Sequence, residues 1–137
     1  MQNFDAIQKL VGSDIKPDAL KAVDCFIFEN FALFIQSVDF CKIAVKHNHT
    51  YPSYMIIIQF DADDDSSERT VEVPQNYYLG SILSPGVPHE DKAEKFPNYY
   101  TIMIDRNFFE EQFKLYQKEM PLFKGNQFII CHDVLKI

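Results

Sequence analysis

Cys41-Lys42-Ile43-Ala44-Val45-Lys46-His47-Asn48-His49 is the stretch whose reading sets the fold class. Strand side chains alternate between two faces, so residues two apart share one face. Read as a strand, the stretch points Cys41, Ile43, Val45, His47 and His49 one way and Lys42, Ala44 and Lys46 the other. The lysine-bearing face suits water. The opposite row is apolar until it ends in two imidazoles, which places them at the mouth of whatever the sheet encloses. A second segment, Pro85-Gly86-Val87-Pro88-His89, carries a type II turn signal. Proline presets φ at the second turn position and glycine supplies the positive φ of the third. Such a turn returns His89 toward the same mouth, and three converging imidazoles make a binding site.

Further strands are expected on both sides of this stretch. Residues 25–38 are mostly aromatic or aliphatic and read as one long or two bent strands. Residues 54–60 and 99–104 read as strands, and 70–73 with 77–83 as a hairpin around Pro74-Gln75-Asn76. Within 99–104, Tyr99, Thr101 and Met103 share a face, but the pattern leaves open which face is inward. Helices flank the β part. Phe4, Ile7, Leu10 and Val11 fall at helical spacing and stop at Gly12, and 17–22 suits a second short helix. Asp105 is placed to cap a helix whose Phe109, Phe113 and Tyr116 form one stripe, with Pro121 as its end. Val134, Leu135 and Ile137 begin another helical pattern.

The 137 residues suffice for one domain with a real core. Net charge −7 argues against this chain itself holding nucleic acid, which needs a basic footprint. Cys25, Cys41 and Cys131 are odd in number and lack metal or redox spacing, so they read as reduced thiols of a cytoplasmic protein. No secretory leader pattern and no apolar run of membrane-spanning length are present in the sequence. Many short strands followed by a helix fit a double-sheeted jelly roll around a ligand cavity.

The two histidine segments, the apolar strand Tyr54-Met55-Ile56-Ile57-Ile58 and the run Tyr99-Tyr100-Thr101-Ile102-Met103-Ile104-Asp105 leading into Phe108-Phe109 carry a resemblance. Over roughly residues 24–118 the chain resembles the cupins, and within them the N-terminal effector-binding domain of AraC-type transcriptional regulators. The resemblance implies a mainly β, cupin-like double-stranded jelly roll with short N-terminal helices and a C-terminal helix. On that pattern 1–23 is a helical arm, 24–104 the barrel, and 105–137 a helix and the start of a linker to a DNA-binding part beyond Ile137. It also implies a small-molecule effector, such as a sugar or an aromatic acid, and a homodimer formed through the C-terminal helix. His47, His49, Tyr54, His89, Tyr99 and Thr101 are the expected ligand-binding residues.

The chain departs from the metal-dependent members of that family. Where they carry a Glu a few residues after the first motif, this chain has Ser53 and Tyr54; Ser84 replaces a proline two before the glycine, and Ala93 an asparagine after the last histidine. Three imidazoles would suit a transition metal with an open position, yet no fourth ligand is evident. The expectation is therefore a sensor rather than an enzyme, with no catalytic residues, metal or other cofactor and no membrane partner. The alternatives are a metal-dependent isomerase or dioxygenase and a stand-alone sugar-binding cupin. The acidic run Asp61-Ala62-Asp63-Asp64-Asp65-Ser66 imitates a calcium loop, but Ser66 stands where the sharp turn needs glycine. No nucleophile elbow is present.

Overall fold

The computed structural model describes residues 4–12, 24–37, 50–59, 71–88, 98–116 and 119–135. Among these residues six strands form one antiparallel sheet: β1 Asp24–Ile27, β2 Phe31–Ser37, β3 Tyr54–Gln59, β4 Tyr77–Leu83, β5 Asn98–Ile104 and β6 Lys124–Cys131. Their order across the sheet is β1-β2-β5-β3-β4-β6, so the sheet is open, with β1 and β6 at its edges among the described residues. The protein is mainly β. Among the described residues two α-helices, α1 Phe4–Val11 and α2 Arg106–Lys114, and a 3-10 turn at His132–Leu135 accompany the sheet. The stretch 41–49 and the expected helix at 17–22 lie outside the described residues.

The apolar run 25–38 resolves into the hairpin β1–β2, closed by Phe28 N–H donating to Phe31 O at 2.9 Å. Strand β5 then inserts between β2 and β3, with Phe34 opposite Thr101 and Thr101 opposite Ile57. Residues 71–73 do not form the expected strand. Both edges of β4 are already occupied, by β3 and by β6. Nor does the β part stop at Ile104. Beyond α2 the chain returns as β6, whose Lys-Gly-Asn-Gln start reads as loop in isolation. A register shift falls between Ile82 and Leu83 of β4, opposite which Gly125 takes φ +88°, as a bulge requires.

Alternation gives the sheet two faces. On one, α1 lays Ile7, Leu10 and Val11 over Ala32, Phe34, Met103, Met55 and Leu83, with Tyr51 completing the buried cluster. Each such aliphatic side chain contributes roughly 1.5–3 kcal/mol. Gly12 ends α1 as expected: at φ +74° it donates its N–H to Gln8 O at 2.8 Å. The buried Ser53 hydroxyl donates to Leu10 O at 2.8 Å and fastens the helix end to the start of β3.

The opposite face carries α2. Asp105 caps it, its carboxylate accepting from Phe108 N–H at 3.2 Å, while its own N–H donates to Asn30 O at 2.8 Å. Phe109 stacks on Tyr54 at 4.1 Å between ring centroids, and Phe113 meets Phe123 edge-on at 6.4 Å. The helix ends at Lys114, well before Pro121. The next residues find nothing apolar to lie on, and Tyr116 is 85% exposed. Of the stripe that could meet its own barrel or a twin helix, Phe109 and Phe113 thus pack on Tyr54 and Phe123 of the same chain.

Candidate ligand-binding face

On the α1 face the composition changes along the strands. The register row beneath the helix is apolar: Ala32, Met103, Met55, Leu83. One row further on stand Phe34, Thr101, Ile57, Ser81 and Gln127. The next includes Tyr99, Gln59, Leu79 and Ile129. A belt of neutral hydrogen-bonding side chains, Thr101, Ser81, Gln127 and Gln59, therefore crosses a face otherwise built of aliphatic ones. Thr101 and Leu79 are buried, at 3% and 2% exposure.

Gln59 gives the belt its clearest chemical signal. Its side-chain oxygen Oε1 is buried and accepts no hydrogen bond among the described residues. Leaving a buried acceptor unmatched costs about 1–3 kcal/mol, so native chains keep few such groups. An amide acceptor held this way suits a hydroxyl or N–H donor brought by a ligand. The register positions of this belt are uncharged among the described residues, and hydroxyls and amides suit neutral polar molecules because they offer both donors and acceptors.

The expected site residues divide three ways. Thr101 is in the belt, and Tyr99 holds the register position opposite Gln59. Tyr54 is on the other face of the sheet, stacked on Phe109, with its hydroxyl donating to Glu110 Oε1 at 3.1 Å. Arg106 Nε donates to the same oxygen at 3.1 Å. Burial, then the Glu110 bond and charge, push the Tyr54 phenol up to about 12. Tyr54 is thus a joint between sheet and helix and does not line the belt. His47, His49 and His89 lie outside the described residues.

The flanks of the two histidine segments are described, and they meet. Gly86 N–H donates to Tyr51 O at 2.9 Å, joining the residue three before His89 to the residue two after His49. Gly86 has φ +78° and Val87 N–H closes the turn on Ser84 O at 3.3 Å, the geometry expected of Pro85-Gly86. An open cleft of about 390 Å³ lies here, lined by Thr50, Tyr51, Pro52, Pro85, Gly86 and Arg106 among others. The departures from the metal-dependent pattern have structural uses at this end. Ser53 anchors α1, and Ser84 exchanges two bonds with Phe123, its hydroxyl accepting from Phe123 N–H at 2.8 Å and its N–H donating to Phe123 O at 2.9 Å. Among the described residues no group of three His, Cys, Asp or Glu is placed to hold a metal ion.

Gln59, Ser81 and Gln127 were not legible as site residues. Gln59 closes the apolar run Met55-Ile56-Ile57-Ile58, which hides its alternation, and Gln127 belongs to a strand with no clear sequence pattern. Their juxtaposition with Thr101 depends on which strands are neighbours. No helix among the described residues is long and apolar enough to cross a membrane. No family model matches the chain, and neither a curated protein nor a solved structure matches it.

Proposed function

We propose that this chain is the effector-sensing and dimerising domain of a cytoplasmic transcription regulator resembling the AraC type. In this reading the sheet is one wall of a cupin-like jelly roll, α1 closes one end, and a small neutral polar molecule of the sugar or polyol kind lies on the belt. DNA contact belongs to helix-turn-helix units outside this chain. The observation that carries the reading is the unmatched buried acceptor of Gln59 within a neutral polar belt. The hydrogen bond between the flanks of the two histidine segments supports their acting at one place. A ligand regulates such a domain by binding one conformation better than another. Helices α1 and α2 touch opposite faces of the sheet and, through Lys9 and Asp105 at 3.9 Å, each other, so they are the elements that would transmit the difference.

Thermal melting of the 137-residue chain against panels of neutral sugars and polyols, aromatic acids and amino acids tests this. A member of the neutral panel should raise Tm by several degrees, since ligand at a hundred times Kd adds about 2.7 kcal/mol. Gln59→Leu should abolish that rise while leaving the ligand-free protein more stable by about 1 kcal/mol, because it removes an unmatched acceptor. No response to any neutral molecule, or an unchanged response in Gln59→Leu, overturns the reading. A stoichiometric transition metal that survives dialysis and is lost in His47→Ala and His49→Ala would favour a metal-dependent enzyme instead.

A further inference from the structure

The two edges that the sheet has among the described residues are built differently. Strand β6 carries the devices that discourage pairing with another chain: Lys124, the bulge opposite Leu83, and Gly125 at positive φ. Strand β1, Asp-Cys-Phe-Ile, has no lysine, no proline and an unbroken register with β2. It also stands beside an apolar ledge. On the α2 face Phe26 and Phe28 are each 52% exposed and Phe31 and Ile35 each 37%, with Phe28 and Phe31 stacked at 4.6 Å. Scaled against the 150–250 Å² of a full aromatic side chain, these four expose roughly 350 Å². A standard interface buries about 800 Å² on each partner, somewhat over half of it apolar. Edge-to-edge pairing covers the flanks of Phe26 and Phe28 and leaves the β2 members Phe31 and Ile35 on the open face, so backbone pairing carries the joint.

The backbone indicates what fits. Phe28 N–H bonds to Phe31 O, which makes Phe28 and Phe31 a hydrogen-bonded pair. Alternation along an antiparallel ladder then turns the polar groups of Phe26 and Asp24 toward β2, and directs the N–H and C=O of Cys25 and Ile27 outward from the edge. Two outward residues flanking one inward residue make a self-complementary unit. A two-fold axis at Phe26 sets Cys25 opposite Ile27 of a second copy and Ile27 opposite its Cys25, each pair exchanging two backbone hydrogen bonds. Phe26 then faces Phe26 in the close, non-hydrogen-bonded position, and Asp24 comes opposite Phe28, so no acidic position faces another. Moving the axis by one residue, to Cys25 or Ile27, keeps the faces matched but leaves only one of the two outward-directed residues paired within β1.

We infer that β1 is a homodimer interface, in which two copies join edge to edge about Phe26 and merge their phenylalanine ledges. This rests on the dimerising half of the proposed function and gives it an interface; it requires no effector, so the sensing half is tested apart from it.

Sedimentation of the 137-residue chain at 1–100 µM decides it. The wild type should run at twice its 16.0 kDa mass. Phe26→Glu, which sets two carboxylates face to face, should weaken association at least a hundredfold and leave a monomer with an unchanged circular dichroism spectrum. Tyr116→Glu, at the exposed end of α2, should leave the dimer intact. Phe26→Cys, in a chain whose Cys25, Cys41 and Cys131 are replaced by Ser, should oxidise to a covalent dimer, because Cα atoms about 4.5 Å apart lie within disulfide reach. A monomeric wild type, a Phe26→Glu dimer, dissociation by Tyr116→Glu, or no Phe26→Cys cross-link would each overturn the proposal.

Discussion

Single residues on this sheet act according to the face they occupy, and Tyr54 shows how sharply. Its phenol is raised from 10.0 to about 12 by burial and by Glu110, so the folded state holds that proton more tightly than the unfolded chain does. The contribution is fully present below pH 10 and is lost as pH climbs from 10 toward 12. Tyr54→Phe should flatten this alkaline decline and lower stability at neutral pH by about 1 kcal/mol, through the lost bond to Glu110. Urea titrations from pH 7 to 11.5 measure both effects. An equally steep decline in the variant would mean that the joint between sheet and helix has been misread. Thr101 shares a face with Tyr99 and Met103 in the sequence, and the structure puts that face on the α1 side, which alternation alone left open. Tyr54, expected at the site from the family resemblance, belongs to the other face, and a run of five apolar residues gives no sign of which alternate set meets which layer. Gln59 was missed for that reason too.

At the scale of elements, local signals held wherever the governing interaction is local. The Gly12 stop, the Asp105 cap, the Pro85-Gly86 turn and strands β1 to β5 follow from propensity and short-range hydrogen bonding. Strand β6 does not. Its first half is polar and it exists by pairing with β4, from which it is far removed in sequence. The end of α2 was misplaced for a related reason: a helical stripe continues only while a surface lies beneath it. Two glycines separate backbone from packing effects. A Cβ at Gly86 would meet nothing within 4 Å, yet φ is +78°, so Gly86→Val should cost about 1–3 kcal/mol through backbone strain alone. A Cβ at Gly80 would lie 2.4 Å from the Phe128 ring, which rests across that position. Gly80→Ala should cost about 1–3 kcal/mol by overpacking, and Phe128→Leu should recover much of it in the double variant. Strict additivity of the two changes would show that the ring moves aside freely.

For the whole molecule the governing fact is the strand order. β5 and β3 are central, flanked by β2 and β4, while β1 and β6 have one neighbour each among the described residues. Amide exchange should be slowest in 54–58 and 99–103 and fastest in β1 and the first residues of β6, since edge strands open without disturbing the rest. A dimer joined through β1 would slow exchange at Cys25 and Ile27 at high protein concentration only. Uniform protection across all six strands would contradict the layout. None of this order was legible beforehand, because hydrophobic alternation identifies strands without naming their neighbours. The position of β5 also has a consequence for synthesis. While the ribosome is producing the first ninety or so residues, β2 and β3 cannot be joined, since the strand that lies between them has not yet left the exit tunnel. The nascent chain must carry two apolar half-sheets with bare edges until β5 emerges and splices them. Chains that stall or are cut before residue 98 should therefore depend on chaperone capture, whereas loss of β6 alone would spare the splice.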